Sequence, residues 1–489
     1  MKSRIKSLAS DTLIYGVSTI VGRFLTFLLT PIYSNYLNGA EYGDAIYIFS
    51  FVAFINIIYS FGMDTAFMRF YDKDDKEYSK KVFTMAYLTI AVISGVVSII
   101  VIIFADAIAP TLTDLKTGPE IIRIAALIPF LDAVMFVPYA FLRMTRRPYR
   151  FALTKLGLIF IAVASNAVFV VILRWQALGI FYSQLMANIV GALIFIPMIS
   201  SHFNWKLDWK LMKQMLRYGI PTIPATLSSL ILQIADRPIL KILSSSESVA
   251  MYTINHRLGL PIMLFVSVFE YAWKPFYLSH HEDADAKQLF SRIFTYFTLT
   301  CAAIFLITGF FIEFIVRMPF IGGKFINPAY WSGIGIIPVI LGGYFLNGMY
   351  NNFAAGFHIV KKTDYLPLSI GAAALTNIAL NFILVPIFDY WGAAYAMLGA
   401  YAVAAVILYT FLRKVYPMKY EFSKVITIIG VMLVLYFTTT WITNYFTIWL
   451  SFAIRIFSMA LFVVILRLFG FFTNEEMRKI VTLFRKEKK

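Results

Sequence analysis

Several charged residues in this 489-residue sequence stand deep inside long apolar stretches, and two of them are the arginines Arg23 and Arg257. An arginine at the centre of a membrane-spanning helix costs roughly 2.5–3.5 kcal/mol on insertion scales, so it requires a water-filled lumen, a partner or a ligand. The planar guanidinium donates two parallel hydrogen bonds, which suits phosphate oxygens. Arg23 and Arg257 therefore predict an anion-binding site, and Asn255, close to Arg257, is assigned to the same site.

Acidic residues in comparable positions predict a gate or a site for a coupling ion. Asp132 lies near the middle of the fourth apolar stretch, and Glu313 lies deep in the ninth. Asp64 and Glu270 lie a turn or two inside the ends of the second and eighth stretches, where each could pair with a cation or carry a proton. The alternative for Glu270 is a local i,i+4 pair with Lys274 that only stabilises a helix end.

Amide side chains recur at helical spacing. Asn347 and Asn351 are four residues apart, as are Asn377 and Asn381, so each pair forms one polar face. Asparagines in such positions serve more often as hydrogen-bonding groups between helices than as substrate ligands. Both interpretations stay open for these four residues.

Two further arginines have competing explanations. Arg69 ends the second stretch, where a topology anchor and a substrate contact explain it equally well. Arg455 lies in the fourteenth stretch and predicts either a lipid-headgroup contact or an ion pair that packs helices together.

The elements that carry these residues are about fourteen apolar stretches between Leu13 and Phe472. Each is long enough, at roughly 20 residues per crossing, to span a bilayer as a helix. Hydrophobic residues make up 60% of the chain and the mean hydropathy is +0.76. The composition predicts an all-α, multi-pass membrane protein.

The loops between these stretches alternate between basic and nearly charge-free. If the N-terminus is placed inside, the loops and tails on that side hold 33 of the 43 Lys and Arg residues. This asymmetry follows the positive-inside rule and predicts that both termini are cytoplasmic. The net charge of +17 is therefore explained by loops that face anionic lipid headgroups, and it does not indicate nucleic acid.

The short loops exclude several classes of protein. No hydrophilic segment exceeds roughly 20 residues, which leaves no room for a soluble catalytic or nucleotide-binding domain. The sequence has no GxxxxGK[ST] motif for binding nucleotide phosphates. We therefore expect no enzyme activity, no cofactor and no metal.

The chain also contains a weak internal repeat. Tyr15–Ile20 resembles Tyr218–Ile223, and Asp64–Tyr71 resembles Glu270–Tyr277. Both copies start on the same predicted side of the membrane, so they are parallel repeats. The sequence predicts two six-helix lobes, residues 1–201 and 202–416, around a central cavity, with two appended helices and a basic tail in residues 417–489.

Residues that tolerate bending lie in two of the predicted helices. Pro221 and Pro224 stand in the seventh, and Gly342 and Gly343 stand in the tenth. We expect hinges there, with close packing against neighbouring helices as the alternative.

Several motifs resemble the polysaccharide transporter family of the multidrug/oligosaccharidyl-lipid/polysaccharide (MOP) flippase superfamily. They include Gly22-Arg23-Phe-Leu-Thr-Phe-Leu-Leu-Thr-Pro31, Phe61-Gly62-Met-Asp64-Thr-Ala-Phe-Met-Arg69, Asp236-Arg237-Pro-Ile-Leu240 and Ala250-Met-Tyr252-Thr-Ile-Asn-His-Arg257. The resemblance extends over nearly the whole chain. It implies a flippase of the bacterial inner membrane that moves undecaprenyl-pyrophosphate-linked oligosaccharide units, for O-antigen, capsule or exopolysaccharide, to the outer leaflet by alternating access.

This resemblance also implies partners. A coupling ion, H+ or Na+, is expected, and a polysaccharide polymerase or export machinery is a candidate protein partner. Two alternatives remain open: a flippase for peptidoglycan precursor, and a cation-coupled multidrug antiporter. The deep arginines argue against the antiporter, whose cavity should be dominated by acids.

Overall fold

The chain is described from a computed structural model, for Gly16 and residues 20–471. The predicted basic N-terminal segment, most of the predicted basic tail and most of the Tyr15–Ile20 motif lie outside these residues. Helical residues 20–27 lead through a turn at Leu28 into α1 (Leu29–Tyr36).

The helices up to residue 258 are α2 (Gly39–Ser60), α3 (Met63–Phe70), α4 (Lys76–Ile103), α5 (Ala105–Leu112), α6 (Gly118–Met144), α7 (Pro148–Asn166, continued by the π-helical segment Ala167–Ile172), α8 (Gln176–His202), α9 (Trp209–Gly219), α10 (Ile223–Ile234), α11 (Asp236–Leu243) and α12 (Ser246–Leu258). The remaining elements are α13 (Leu260–His280), α14 (Ala286–Arg317), the antiparallel strands β1 (Pro319–Phe320) and β2 (Gly323–Lys324), the 3-10 helix Pro328–Ile336, α15 (Ile337–Ile359), α16 (Tyr365–Phe388), α17 (Tyr390–Val415), α18 (Phe422–Thr443) and α19 (Ile448–Leu468).

Eleven helical stretches among the described residues are long and apolar enough to cross a membrane. Two helix pairs raise the number to 13 if each pair is one bent span: Trp209–Ile234 with Asp236–Leu243, and Ser246–Leu258 with Leu260–His280. The multi-pass, helical character predicted from composition is confirmed. The count of fourteen and the lobe repeat stay predictions, because the first span begins among residues that are not described.

Polar residues at the helix starts explain several boundaries. The Asn38 side chain accepts a hydrogen bond from the Glu41 amide (2.8 Å) and begins α2. Asp75 accepts from the Tyr78 amide (2.9 Å) and begins α4, and Asp208 does the same at α9. Each cap satisfies an amide that the first helical turn leaves without a partner.

A glycine separates α2 from α3. Gly62 has φ +66°, a left-handed conformation that L side chains rarely adopt, and a Cβ placed on it would lie 2.2 Å from the carbonyl oxygen of Gly219. The backbones of α3 and α9 therefore approach more closely than any side chain would allow. Close by, buried apolar residues of α3, α4, α6 and α9 form one core, which includes Phe67, Phe83 and Met215.

The chain divides into two compact units. The first contains residues 1–257, 318–336 and 364–404, and it holds the cavity described below. The second contains residues 258–317, 337–363 and 405–489. In the second unit, α18 and α19 pack against α14 and against each other.

Candidate functional site

The first unit encloses a cavity of about 840 Å³ among its membrane-length helices. Residues from the stretch 20–36 and from α2, α3, α6, α7 and α8 line it, together with Thr226 and Arg257. We call the end near the start of α2 the outer end and the end near the start of α7 the inner end, following the orientation that the loop charges predict. The volume lies within the range of small-molecule binding sites.

At the outer end, Arg257 of α12 faces α1. Its Nη1 donates to the Thr30 hydroxyl (3.4 Å), and its guanidinium lies 5.9 Å from the centre of the Tyr33 ring. The Tyr33 hydroxyl in turn donates to Asn166 Oδ1 (2.8 Å) at the end of α7. These contacts hold the arginine by an aromatic face and a hydroxyl, and no carboxylate of residues 20–471 forms an ion pair with it.

In the middle of the cavity, amides surround a single acid. Asn56 Nδ2 donates to Asp132 Oδ2 (3.2 Å). Gln184 donates to Asn188 Oδ1 (3.0 Å), and the Asn188 amide donates to the Ile128 carbonyl (3.1 Å). Within the described residues, Asp132 has no lysine or arginine at ion-pair distance. Amides that present both donors and acceptors suit neutral hydroxyl-rich ligands, and an acid among them suits a proton or a monovalent cation.

At the inner end, two cations flank one aromatic ring. The Arg143 guanidinium lies 6.0 Å from the centre of the Phe151 ring, and the Lys155 ammonium lies 5.7 Å from it. Tyr139 packs edge-on against Phe151 at 5.2 Å. All four residues line the cavity, and Asp64 lines it as well.

The sequence of α7 explains how it presents these groups. Its cavity-facing residues lie on one face of the helix, with spacings of three and four residues that recur along it: Phe151, Lys155, Leu158, Ile159, Ala162, Val163 and Asn166. Leu153 and Phe160, on other faces, are 77% and 66% exposed, as expected for side chains that contact lipid.

A family profile described as polysaccharide biosynthesis protein matches residues 8–279, which is more than half of the chain. The chain belongs to this family. Among curated proteins, no sequence matches significantly.

Solved structures share the fold of this polysaccharide biosynthesis family member. It is similar to the lipid II flippase MurJ in an inward closed conformation, with a TM-score of 0.77, 16% identity, and coverage of 93% of this chain and 98% of that one. An inward-facing multidrug resistance MATE transporter of the MOP superfamily matches with a TM-score of 0.64, 15% identity and coverage of 83% and 97%. A MOP superfamily transporter from Pyrococcus furiosus, whose title describes a binding pocket of reversed polarity, matches with a TM-score of 0.58, 14% identity and coverage of 83% and 95%. The chain therefore has the fold of these flippases and transporters.

The cavity of this family member collects only part of the predicted site. Arg257, Asp64 and Asp132 line it. Arg23 does not, but its guanidinium is within electrostatic range of Lys155, which does. Arg257 instead contacts Thr30, seven residues and roughly 10 Å further along the same helical stretch than Arg23.

Other predicted site residues of the first unit lie elsewhere. Arg69 is exposed at the end of α3. Asn255 is fully buried and donates to the Tyr330 carbonyl (3.1 Å) and the Met251 carbonyl (2.9 Å). Asn381 donates to the carbonyl and the side chain of Asn377 (2.8 and 3.2 Å), and both residues are buried in the interior of α16. The Asn255 contact with Tyr330 joins two elements, whereas the Asn381 contacts lie within α16, and a substrate role for the three asparagines stays a prediction.

The predicted residues of the second unit form two separate contacts. Asn351 Nδ2 lies 3.4 Å from Glu270 Oε2, while Asn347 is half-buried on the preceding turn of α15. Glu313 forms an ion pair with Arg455 (2.9 Å). The packing alternative for Arg455 is therefore confirmed, and a gate or coupling role for Glu270 and Glu313 stays a prediction.

The sharp bend in the seventh predicted span lies away from the prolines. Pro221 belongs to the 3-10 turn Ile220–Thr222 and Pro224 to the first turn of α10, where proline disturbs the hydrogen-bond ladder least. The helix bends by 53° at Ala235 instead. Gly342 and Gly343 lie inside the uninterrupted helix α15. Hinge movement at Pro221, Pro224, Gly342 and Gly343 stays a prediction.

The sequence interpretation missed several residues that the cavity brings together. Lys155 and Arg143 counted only as charges of a basic loop, and the amides of α2, α7 and α8 were not singled out. The signal for Lys155 was its position on one helix face together with residues from Phe151 to Asn166. This face extends from the basic loop into the apolar stretch that follows it. No comparable signal links Asn56 to Asp132, because their contact depends on how α2 and α6 pack.

A second missed group surrounds Asp44 near the outer end of α2. Its carboxylate accepts from Lys241 Nζ (2.7 Å), the Ser246 hydroxyl (2.5 Å) and the Thr113 hydroxyl (2.5 Å). A Cβ on the neighbouring Gly43 would lie 1.8 Å from the Ser246 carbonyl oxygen. This network joins α2 to α11 and α12 beside the outer end of the cavity.

Proposed function

We propose that this protein is a flippase that moves an undecaprenyl-pyrophosphate-linked oligosaccharide repeat unit, for O-antigen, capsule or exopolysaccharide, from the cytoplasmic to the outer leaflet of a bacterial inner membrane. The family description and the MOP fold support transport of such a molecule. On this proposal the protein works by alternating access between two lobes, residues 1–201 and 202–416.

The observation that carries the proposal is the composition of the cavity. It combines cations, amides and aromatic rings among helices long enough to span a membrane. A lipid-linked sugar needs all three, because its phosphates are anionic, its hydroxyls exchange hydrogen bonds with amides, and its sugar rings pack on aromatic faces. The prenyl tail requires no cavity, since it is as apolar as the bilayer.

Arg257 is the proposed pyrophosphate ligand at the outer end, with Arg23 as the second arginine. Arg257 has a hydroxyl and an aromatic ring as its neighbours, so its remaining N–H groups can turn to an anion. A charge-assisted hydrogen bond contributes about 1.5–3 kcal/mol, so the loss of one or two such bonds should reduce transport at least tenfold.

The test is transbilayer movement of a short polyprenyl-pyrophosphate oligosaccharide in liposomes that contain the purified protein. We expect the wild type to move it, and Arg257→Ala to lose at least about tenfold in rate, or about 1.4 kcal/mol. Arg123→Gln is the matched control, because Arg123 pairs with Asp106 at an exposed site outside the cavity. Equal rates for Arg257→Ala and wild type would remove Arg257 from the site.

A coupling ion, H+ or Na+, is assigned to the acids of the cavity, with Asp132 as the first choice. It is the acid that the amides surround, whereas Glu313 has an arginine partner. Asp64 and Glu270 are the second choice, as gate residues. An external polymerase or export partner would complete the pathway on the outer side.

A peptidoglycan-precursor flippase is the second candidate, and the similarity to MurJ favours it specifically. Both substrates carry a polyprenyl pyrophosphate, so the anion site would be the same and the glycan would differ. Rescue of cells that lack their own precursor flippase separates the two. Expulsion of organic cations without movement of sugar lipid would instead indicate the multidrug branch.

A further inference from the structure

The inner end of the cavity contains two cations, Arg143 and Lys155. Among residues 20–471, neither Arg143 nor Lys155 lies at ion-pair distance from a carboxylate, and the contact that each makes is with the Phe151 ring. The distances, 6.0 and 5.7 Å, are near the limit of a cation–π contact, which is weak at partly exposed sites. Such a contact leaves both positive charges unneutralised.

Like charges accumulate around Lys155. The guanidiniums of both Arg143 and Arg23 act on its ammonium, so three cations from three different helical segments converge on one region. Like charges that approach one another repel, and a bound anion relieves that repulsion. Asp64 lines the same cavity but is not within 4.0 Å of either cation.

Topology alone explains the neighbouring arginines but not this pair. Arg146 and Arg150 are exposed in the loop and first turn between α6 and α7, where positive charges orient the protein in the membrane. Arg143 is also exposed, in the last turn of α6, but it and the half-buried Lys155 line the cavity, and Lys155 shares the face of α7 that runs from Phe151 to Asn166. A lysine that only anchored the helix could turn its flexible chain towards the loop or the headgroups.

We propose that Arg143 and Lys155, held on either side of Phe151 and supported by Arg23, bind the phosphate oxyanions of the substrate at the inner end of the cavity, as a station separate from Arg257. This inference rests on the proposed function and deepens it. Arg143 supplies the planar fork that matches phosphate oxygens, and Lys155 supplies a compact charge for a second phosphate.

Two stations provide a path for the anion. The inner station lies beside the predicted cytoplasmic loop, where the substrate arrives, and Arg257 lies at the outer end. The amides around Asp132 occupy the interval between the two stations, where the sugar would pass. An anion that moves from one cationic site to the next is never left in the bilayer interior without a positive partner.

The test measures binding by calorimetry to the full-length protein in nanodiscs, with geranylgeranyl pyrophosphate and inorganic pyrophosphate as probes. We expect the double variant Arg143→Gln/Lys155→Gln to weaken binding of geranylgeranyl pyrophosphate at least about tenfold. The charge-conserving exchange Arg143→Lys/Lys155→Arg should retain most of the binding. The matched control is Arg146→Gln/Arg150→Gln, which removes two nearby positive charges that do not line the cavity and should bind as the wild type does.

Three results would decide against the inference. Wild-type affinity in the double variant would show that the two cations are not phosphate ligands. Equal weakening by the loop control would show that general loop charge is responsible. Displacement of the probe by phosphatidylglycerol at similar concentrations would make the site a membrane-lipid site rather than a substrate station.

The liposome assay separates this inference from the proposed function. If the wild type moves the sugar lipid and the double variant binds and moves it equally well, the function stands and the inner station is wrong. If the wild type moves no sugar lipid but binds pyrophosphate through Arg143 and Lys155, the station stands and the assigned substrate is wrong. Thermal unfolding of each variant, compared with wild type, identifies any variant that is merely misfolded.

Discussion

The first unit has a cavity, and the second unit has a contact between α14, α18 and α19. Both contain arginine, acidic and aromatic residues, but the two regions differ in whether the opposite charges pair with each other. In the second unit, Arg455 donates to Glu313 (2.9 Å) and to the Phe310 carbonyl (2.5 Å), and its guanidinium lies over the Phe314 ring. In the cavity, Arg143 and Lys155 contact a ring and Asp132 accepts from an amide, and none of the three has an oppositely charged partner among residues 20–471. Charges paired within the protein hold helices together, whereas charges left without an opposite charge are available to a ligand.

Further polar contacts strengthen the second region. The Thr439 hydroxyl donates to Ser458 (2.7 Å) and joins α18 to α19, and Ser451 donates to the Thr443 carbonyl (3.0 Å). Such hydrogen bonds between helices replace the hydrophobic driving force that is missing in lipid. The appended helices therefore have a polar contact surface of their own, which explains why an arginine is tolerated in α19.

The largest expected effect is on stability, at Arg455. Arg455→Met leaves the Glu313 carboxylate without its cation, and breaking a buried pair costs about 3–5 kcal/mol. Because the Glu313 side chain is 44% exposed, we expect the lower end of this range. Thermal unfolding in detergent measures it, and the double variant Arg455→Met/Glu313→Gln should recover much of the loss. A double variant as unstable as the single one would show that the ion pair is not what holds α19.

The next effect concerns the close approach of the backbones at Gly62 and Gly219. Gly62→Ala places a Cβ in a left-handed conformation and 2.2 Å from the Gly219 oxygen, so α3 must move. We expect about 2–3 kcal/mol of destabilisation and a loss of transport, since Asp64 on α3 lines the cavity. Gly157→Ala is the control, because no atom lies within 4 Å of the Cβ it would add. Equal unfolding temperatures for the two variants would contradict the close contact.

Asp132→Asn tests whether the charge of Asp132 serves a ligand or coupling ion rather than the packing of helices. Because no cation pairs with Asp132 in the described part of the chain, its neutralisation should change stability by less than about 1 kcal/mol. We expect transport to fall at least about tenfold, or about 1.4 kcal/mol, and to lose its response to an imposed proton or sodium gradient. A large loss of stability with unchanged gradient response would place Asp132 with the packing residues instead.

The smallest effect lies outside the membrane, at the start of α18. Burial raises the pKa of Glu421, but hydrogen bonds from Lys424 and Thr295 outweigh it, so its pKa lies below its usual range. A lowered pKa stabilises the folded state above the ordinary glutamate pKa, and this contribution is lost as the pH falls through the lowered value.

For an exposed pair the contribution is less than about 1 kcal/mol. Glu421→Gln should therefore unfold at a slightly lower temperature than wild type near pH 7, and the difference should disappear as the pH falls through the lowered pKa. A difference that grows as the pH falls would reverse the sign of this prediction.

Some site residues could be predicted from the sequence and others could not. The difference is whether a residue stands out by itself or only through its contact with a distant segment. Arg257 and Asp132 were found because a charge in an apolar stretch stands out in one dimension. Lys155 was missed because it lies close to a basic loop. Only its position on the cavity-facing side of α7 distinguishes it from the charges of that loop. Asn56 and Asp132 are 76 residues apart and Glu313 and Arg455 are 142 apart, so no spacing rule predicts either contact.

The sequence by itself determined that this protein spans a membrane many times, because backbone groups in lipid must be satisfied within helices and apolar length is visible residue by residue. It also determined which residues are too polar for lipid. Only the tertiary structure decided which of them meet one another: Arg455 meets an acid and packs, whereas Arg143 and Lys155 meet an open cavity. Pairing between distant helices depends on how their side chains fit together, and the balance of many small packing energies that sets this fit is not written in any single segment of the chain.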